Sequence, residues 1–191
     1  MSVEDRIRWD TIYQERAQRP YPAPDPLLLE VTPPAPALSE PARALDIACG
    51  LGQNGLWLAE QGYATDLMDV SRVALLRAQA EVNARHLRHV NLLLQDVDEV
   101  ALAPESYHLI CCFRFLERSL FDELKRATVV GGRIVYETFN ERYADERKPF
   151  KPAYLLKIGE LRTLFSDWEL LLYEEHGTVT RLAALKPISA G

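Results

Sequence analysis

The chain has 191 residues, 48% of them apolar and 26% charged, and its formal net charge is −6. This length fits one domain with a substantial core, and the acidic balance argues against nucleic acid or an anionic membrane as a partner. No apolar run approaches the roughly 20 residues of a membrane-spanning helix, and the polar start is unlike a signal peptide. The cysteines lack zinc-type spacing and lie in apolar runs, so we expect free, buried thiols in a cytoplasmic protein: Cys49, Cys111 and Cys112.

The first 41 residues are predicted to form a helix followed by an extended arm. The helix spans residues 3–17, with Ser2 and Asp5 as a capping box at its start. Between Arg19 and Pro41 the chain contains eight prolines. Because proline removes a backbone donor and clashes inside a helix, we expect an extended arm packed on the core, with a short turn over 27–31.

After Pro41 the sequence alternates between apolar runs and helical segments. Strands are predicted near 43–48, 64–69, 90–95, 107–113 and 133–139, and helices near 53–61, 72–86 and 116–128. Gly131 and Gly132 predict a tight turn before the fifth strand, and the stretch 97–106 is short for a full crossover helix. Continuous apolar strands between helices are typical of a parallel sheet that is covered on both faces.

The C-terminal part departs from this alternation. A helix near 157–165 precedes two strand-like segments, 168–176 and 178–185, which flank Gly177. Two such segments around one glycine predict an antiparallel hairpin. The predicted fold class is therefore α/β, with a Rossmann-like, doubly wound, mostly parallel seven-stranded sheet that ends in an antiparallel hairpin. We expect a single domain over 1–191, whose core spans 42–191.

A glycine-rich turn follows the first predicted strand. Gly50, Gly52 and Gly55 have the G-x-G-x-x-G spacing, which allows a sharp backbone turn and presents the N–H groups of a helix start to a ligand. Dinucleotide enzymes and other nucleotide binders share this pattern. Asp46 lies four residues before Gly50, where an acid would repel a pyrophosphate but suits a ligand with an ammonium group and no phosphate. S-adenosylmethionine (SAM) is such a ligand.

Acidic residues also follow the next two predicted strands. Asp69 lies nineteen residues after Gly50, where a carboxylate can accept from both hydroxyls of a ribose, and Ser71 can cap the following helix. Asp96, with the Val97 backbone beside it, is placed to accept from an adenine amino group. Each acid alone could be an ordinary turn residue. Their occurrence after successive strands, together with the glycines, predicts a SAM site.

From about Ala42 to Lys186 the sequence resembles the class I SAM-dependent methyltransferases, whose parallel sheet ends in such a hairpin. The motifs that carry this resemblance are 45–54, 69–71, 95–97, 107–110 and 130–139. Within that superfamily the chain is most similar to small bacterial enzymes of the tellurite-resistance type, which methylate small or chalcogen-containing acceptors. This similarity rests on the segments 113–118, 136–139 and 155–161.

The resemblance implies SAM as the cofactor and a set of residues that bind it. These residues are Asp46, Cys49, Gly50, Gly52, Asn54, Asp69, Val70, Gln95, Asp96, Val97 and Phe113. Methyl transfer from a sulfonium is an in-line displacement, whose barrier falls when the nucleophile and the methyl group are held in contact without water. Because no covalent nucleophile is required, we expect Cys111 and Cys112 to pack within a strand.

The segment after the fourth strand carries the candidate acceptor residues. It lacks the Asn/Asp-Pro-Pro-Tyr/Phe motif of many base-amino methyltransferases and has no acid placed for a divalent metal, so we expect no metal there. If the chain is helical here, Arg114 and Arg118 lie four apart on one face and could bind an anionic or electron-rich acceptor. A surface ion-pair network with Glu117 and Asp122 is the alternative. Glu137 could act as a general base for an OH or NH acceptor, whereas a thiolate needs none.

Two segments could cover the site. Trp9 and Tyr13 could form a lid over the pocket, and the alternative is that they dock the first helix on the edge of the sheet. The charged segment 140–157 lies where an acceptor-site lid would be, although a solvated loop is the more common explanation of such charge.

The predicted function is transfer of the SAM methyl group to a small-molecule acceptor, with no nucleic acid or membrane partner and an open oligomeric state. One alternative is a SAM-binding regulatory or scaffold protein with little catalysis. Another is an RNA or protein methyltransferase that uses a local basic patch: Arg142, Arg147, Lys148 and Lys151. A NAD-dependent oxidoreductase is disfavoured by Asp46, Asp96 and the terminal hairpin.

Overall fold

The computed structural model describes residues 3–146 and 151–188. Contacts divide the chain into two compact units, one ending at Ala101 and the other beginning at Leu102. Three residues that the sequence singles out, Ser2 of the capping box and Arg147 and Lys148 of the basic patch, lie outside the described residues.

The first unit alternates helices with parallel strands. Its helices are α1 (Val3–Glu15), α2 (Pro26–Val31), α3 (Gln53–Glu60) and α4 (Arg72–Ala84), and its strands are β1 (Arg43–Ile47), β2 (Ala64–Asp69) and β3 (Val90–Leu94). A 3-10 turn, Val97–Glu99, follows β3 and is the abbreviated connection that the sequence predicts. β1 and β3 each pair in parallel with β2, so the carboxyl ends of the three strands share one edge.

The proline-rich arm is an ordered part of this unit. Asp25 caps α2 by accepting a hydrogen bond from Leu27 N (3.2 Å), and Pro26 occupies the first helical position, where its missing N–H costs nothing. Leu27 and Leu28 are buried. The predicted short turn over 27–31 is therefore present, and it attaches the arm through apolar side chains.

Helix α4 covers one face of the parallel strands. Ser71 caps it as predicted, because the Ser71 hydroxyl accepts from Ala74 N (3.1 Å). The buried residues of α4 recur at helical spacing and pack with side chains of β2 and α3 in one apolar cluster. That cluster comprises Cys49, Leu56, Leu67, Leu75, Ala78 and Val82.

The second unit begins with a parallel pair and ends in a hairpin. Its elements are β4 (Tyr107–Phe113), α5 (Leu120–Ala127), β5 (Thr128–Phe139), α6 (Tyr143–Glu146), a 3-10 turn (Pro152–Tyr154), α7 (Glu160–Leu164), β6 (Glu169–His176) and β7 (Val179–Leu185). β4 pairs with β5 in parallel, whereas β7 pairs with β5 and β6 in antiparallel fashion. Gly177 turns the predicted hairpin with φ +54°. Aromatic contacts among Phe121, Tyr136, Phe165 and Trp168 mark the core of this unit.

The seven strands form one sheet in the order β3-β2-β1-β4-β5-β7-β6. Within each unit the paired strands are parallel, except that β7 is antiparallel to both β5 and β6. This confirms the predicted fold class, including the terminal hairpin. None of the helices that the structure describes is long and apolar enough to cross a membrane.

Several helix boundaries differ from the prediction by one to four residues. α1 ends at Glu15 rather than residue 17, and α5 begins at Leu120 rather than residue 116. The later start of α5 has a local cause: the Glu117 carboxylate accepts from the backbone N–H (3.1 Å) and the hydroxyl (2.9 Å) of Ser119. These bonds satisfy donors at the start of the helix from outside it.

The tight turn expected at Gly131 and Gly132 is wrong. Both glycines lie inside β5, where Gly131 N donates to Lys186 O and Lys186 N donates to Gly132 O, each at 2.9 Å. The pairing of β4 with β5 shifts register here, since Tyr107 pairs with Thr128 but Leu109 pairs with Arg133. The extra residues of β5, which include both glycines, form an irregularity within the strand. Helix α7 is also shorter than predicted, covering Glu160–Leu164 instead of 157–165.

Candidate functional site

The turn after β1 has a backbone that favours glycine. Gly50 and Gly52 adopt φ values of +56° and +78°, a region that side chains disfavour, and Ala48 adopts φ +53° despite its side chain. Gly52 N donates to Cys49 O (2.9 Å), which closes the turn, and α3 begins directly afterwards. The G-x-G spacing therefore produces the sharp backbone turn that the sequence predicts.

Gly55 is glycine for a different reason, which is close packing. A Cβ on Gly55 would overlap Leu67 Cδ2 and lie 3.0 Å from Asp46 Cβ. The absence of a side chain lets α3 approach β1 and β2, and Gly55 N donates to Asp46 Oδ2 (2.9 Å). Asp46, predicted to bind the methionine end of SAM, thus anchors the start of α3 and is only 1% exposed.

Asp69 joins the ends of β1 and β2. Its carboxylate accepts from Gly50 N through Oδ2 (2.7 Å) and from Ser71 N through Oδ1 (2.8 Å). Burial raises the pKa of Asp69, against the lowering effect of these N–H groups. Each carboxylate oxygen has two lone pairs, so these two bonds leave acceptor capacity for further donors.

The residues after β3 form a capped turn. Gln95 N donates to Asp69 O (3.1 Å), which ties this turn to the end of β2. Asp96 caps the 3-10 turn by accepting from Asp98 N (3.0 Å), and Val97 is buried. The structure thus places Gln95 beside Asp69. It also shows Asp96 capping a turn, which agrees with the alternative that this acid is an ordinary turn residue.

Three other predicted cofactor residues are buried in the first unit. The Asn54 side chain accepts from Asp25 N (2.7 Å), so it holds the proline-rich arm. Cys49 packs in the apolar cluster, and burial raises its thiol pKa well above the ordinary value. Val70 is 6% exposed between Asp69 and Ser71.

Helix α1 reaches the glycine turn through Tyr13. A Cβ on Gly50 would lie 2.5 Å from the Tyr13 hydroxyl oxygen, so the tyrosine fills the space that a side chain would take there. Burial, and next the charge of Asp69, raise the pKa of Tyr13 above its ordinary value. Trp9 stacks on Tyr13 with ring centroids 6.0 Å apart. Both residues therefore lie on the helix that contacts the turn.

Sequence reasoning missed two residues around this turn. The Tyr21 hydroxyl donates to Leu51 O, and the Tyr21 ring packs against the cluster that contains Cys49. Asp10, on α1, accepts from the hydroxyl of Ser71 (2.6 Å) and from Val73 N (3.2 Å). Both contacts join residues distant in sequence. The sequence could have indicated them only by their residue types, an aromatic residue in the proline-rich arm and an acid on the helix of the proposed lid.

In the second unit, Phe113, Arg114 and Glu137 lie at the ends of β4 and β5. Phe113 is buried, whereas Arg114 is exposed and adopts φ +57°, a strained conformation for a residue with a side chain. Arg114 N donates to Glu137 O (2.7 Å). The Glu137 carboxylate is buried and paired with Arg181 Nε (2.9 Å) on β7.

The helical face predicted for Arg114 and Arg118 is wrong, because residues 114–119 are not helical. Arg118 instead binds the segment before α7. Its guanidinium donates to Ala153 O (2.8 Å), to Leu155 O (2.9 Å) and to both oxygens of Glu160 (2.6 and 2.9 Å). Arg118 is therefore a structural clamp whose ion-pair partner is Glu160, not the expected Glu117 or Asp122.

The residues at the ends of β1 and β2 fit SAM. Because Gly50 has no Cβ, there is space beside the backbone of the turn, and Tyr13 fills that space in this structure. The Asp69 carboxylate retains acceptor capacity for hydroxyl groups. Within 3–146 and 151–188 no group of three His, Cys, Asp or Glu side chains could hold a metal ion.

A family model described as "Tellurite resistance protein TehB" matches residues 30–184. The chain belongs to the TehB family. This confirms the resemblance to proteins of the tellurite-resistance type that the motifs predict.

Curated relatives of this TehB-family chain are a little over a quarter identical to it over the aligned residues. It is 28% identical over 152 residues to the "Probable S-adenosyl-L-methionine-dependent methyltransferase TehB" of Haemophilus influenzae, covering 74% of this chain and 51% of that protein. It is 29% identical over 143 residues to "Hemagglutinin 1" of Eikenella corrodens, covering 71% and 46%. The chain thus spans about half the length of the curated relatives it matches.

Solved structures show the same fold. The crystal structure of TehB from Haemophilus influenzae has a TM-score of 0.68 at 22% identity, covering 78% of this chain and 58% of that one. A second structure has a TM-score of 0.71 at 18% identity and covers 98% of this chain and 94% of its own. Its description is "Conversion of a Disulfide Bond into a Thioacetal Group during Echinomycin Biosynthesis". A geranyl diphosphate C-methyltransferase from Streptomyces coelicolor has a TM-score of 0.62 at 13% identity, covering 76% and 71%.

Proposed function

We propose that this chain transfers the methyl group of SAM to a small-molecule acceptor by in-line displacement. The observation that carries the proposal is the Asp69 carboxylate, which accepts from Gly50 N (2.7 Å) beside a glycine turn of left-handed backbone. That arrangement offers a glycine turn without Cβ atoms and a buried carboxylate acceptor to one ligand. Membership of the TehB family supports SAM as that ligand.

The chain's own residues would bind and cover SAM in this proposal. Gly50 and Gly52 expose the backbone, Asp69 accepts from ribose hydroxyls, and the Asp96–Val97 turn faces the adenine. Trp9 and Tyr13, on α1, form a lid that excludes water from the glycine turn. When bound, SAM supplies an electrophilic methyl group, so the chain needs to position and desolvate rather than to provide a nucleophile.

Arg114 is the proposed acceptor-binding residue. Its exposed guanidinium can bind a carboxylate, an oxyanion or a thiolate, and its strained backbone at a strand end is typical of functional positions. Glu137 was the candidate base, but its carboxylate is paired with Arg181 and its carbonyl accepts from Arg114 N. We therefore propose that Glu137 positions Arg114. Without Glu137 as a base, the acceptor belongs to a class that needs little proton transfer, such as a thiolate.

A small acceptor agrees with two further observations. The net charge of −6 disfavours a nucleic-acid substrate, and a solved structural neighbour is named as a methyltransferase of geranyl diphosphate, a small molecule. The three cysteines are free and buried, in keeping with a reducing compartment, so we place the protein in the cytoplasm.

The first experiment is thermal unfolding with SAM, S-adenosylhomocysteine and NADH in parallel. A ligand at 100 times its dissociation constant stabilises a protein by about 2.7 kcal/mol, which raises the midpoint of a chain of this size by roughly 5–10 °C. We expect this shift with the two SAM-type ligands and none with NADH.

Two variants make the result specific. Asp69→Asn keeps the shape of the side chain and is expected to lose most of the shift, whereas Asp122→Asn removes the same charge from an exposed position of α5 and should keep it. A shift with NADH, or an unchanged SAM shift in folded Asp69→Asn, would contradict the proposed site.

Methyl transfer itself is tested with thiols, carboxylates and neutral amines. We expect turnover with at least one anionic or thiol acceptor, and Arg114→Gln should raise the KM for that acceptor about tenfold while the Kd for SAM is unchanged. Binding of SAM without turnover on any acceptor would instead support a regulatory protein. Turnover on RNA or protein alone would support the macromolecular alternative.

A further inference from the structure

Polar contacts attach helix α1 to the rest of its unit, beside the half-buried side chains of Trp9, Ile12 and Tyr13. None of the residues 3–15 that make up α1 is fully buried, and the apolar side chains of Val3 and Ile7 are 67% and 60% exposed. Arg77 on α4 donates to Arg16 O (3.2 Å) and Arg19 O (3.3 Å), just after the helix. A helix held this way can separate without exposing a core.

Asp10 makes two further polar contacts, at the start of α4. Its Oδ1 accepts from the Ser71 hydroxyl (2.6 Å) and from Val73 N (3.2 Å). Ser71 at the same time accepts from Ala74 N (3.1 Å). Two side chains thus cap the first N–H groups of α4: Ser71, which directly precedes the helix, and Asp10 on α1. The negative charge of Asp10 also interacts favourably with the positive end of the helix dipole.

The same serine connects Asp10 to the cofactor residues. Ser71 N donates to Asp69 Oδ1 (2.8 Å), and Asp69 Oδ2 accepts from Gly50 N (2.7 Å). Tyr13, three residues after Asp10 on α1, lies against Gly50. The bond that fixes α1 at Ser71 therefore also fixes the position of Tyr13 on the glycine turn.

We propose that Asp10 is a positioning residue: it latches α1 onto the start of α4 and so holds Tyr13 over the glycine turn. This rests on the proposed function, because it makes Asp10 control how long SAM stays bound. A ligand that lies on the turn leaves when α1 separates, and separation requires the two Asp10 hydrogen bonds to break. Asp10 then affects the dissociation rate of SAM through α1, without a contact of its own to the ligand.

Hydrogen exchange of the ligand-free chain tests the latch. In Asp10→Ala we expect the amides of α1 to exchange about tenfold faster, since charge-assisted hydrogen bonds are lost, while the strands β1 and β2 keep their protection. Asp10→Asn, which retains one acceptor oxygen, should give an intermediate rate. Glu15→Gln removes an acid from an exposed position of the same helix and should leave exchange unchanged.

Stopped-flow fluorescence tests the effect on SAM. Trp9 lies on α1 and reports its movement, and Trp9→Phe provides the background signal. We expect Asp10→Ala to raise the dissociation rate of SAM about tenfold, with the association rate changed less than threefold. Glu15→Gln should match the parent chain.

Three results would overturn the proposal. They are unchanged exchange of α1 in Asp10→Ala, faster exchange of α1 without a change in SAM dissociation, and a loss of protection throughout the unit, which would make Asp10 merely structural. If the parent chain binds no SAM, the proposed function fails, and the exchange experiment alone still decides whether Asp10 holds α1.

Discussion

At the scale of single residues, the site depends on glycines that serve different purposes. Gly50 and Gly52 are required by their left-handed backbone, whereas Gly55 has helical backbone and is required by the space it leaves for Leu67 and Asp46. Replacing these glycines by alanine therefore has two separable costs, one of backbone conformation and one of overpacking.

Gly55→Ala is expected to lower the free energy of unfolding by about 2–3 kcal/mol, because the new methyl group overlaps a fully buried leucine. Gly177→Ala is the matched variant, since no atom lies within 4 Å of its Cβ position and only φ +54° opposes the change. It should cost about 1 kcal/mol. Urea unfolding measures both, and an equal cost for the two variants would refute the packing argument.

At the scale of elements, long side chains attach segments that have little core of their own. Arg118 holds the segment before α7 through two carbonyls and Glu160. Burial alone would raise the pKa of Glu160, but the hydrogen bonds from Arg118 and from Lys157 N outweigh it and lower that pKa below its ordinary value. The clamp therefore stabilises the folded state while Glu160 is ionised.

Arg118→Gln is expected to lower the free energy of unfolding by about 1 kcal/mol at pH 7. We expect no larger effect, because the Arg118 side chain is 41% exposed and solvent screens its ion pair with Glu160. A carboxyl with a lowered folded pKa stabilises above its unfolded pKa, near 4.5, and loses this contribution as pH falls through the folded pKa. The difference between variant and parent should thus shrink below about pH 4.5. Denaturant titrations at several pH values check this, with exposed Arg88→Gln as the charge control.

At the scale of the whole molecule, contacts cluster in two units, yet strands of both belong to one seven-stranded sheet. We propose that the chain unfolds as the single domain expected from its length. A chain of this length is typical of one domain, and single domains commonly unfold in one cooperative transition.

Calorimetry tests this proposal. We expect one transition whose calorimetric enthalpy equals its van't Hoff enthalpy, and which moves as a whole when SAM is added. Two resolved transitions, of which SAM moves only one, would show instead that the units unfold independently.

The sequence by itself determined the alternation of strands and helices, the glycine turn, the Ser71 cap and the terminal hairpin. These features depend on residues close together in the chain, so spacing and residue type were sufficient to predict them. The order of acids after successive strands likewise predicted a ligand site at the strand ends. Where prediction of local structure failed, as at Arg114–Ser119 and Gly131, a side-chain cap or a distant partner strand prevailed over local preference.

Only the tertiary structure decided which side chains these predicted residues contact. Asp46 anchors Gly55, Asn54 holds the arm at Asp25, and Arg118 binds Glu160 rather than its sequence neighbours. The Asp10 contact with Ser71 spans 61 residues. Such pairs have no periodicity in the sequence, because they arise when the packing of helices on a sheet brings distant segments together, and the free energy of burying their polar groups then selects the partners.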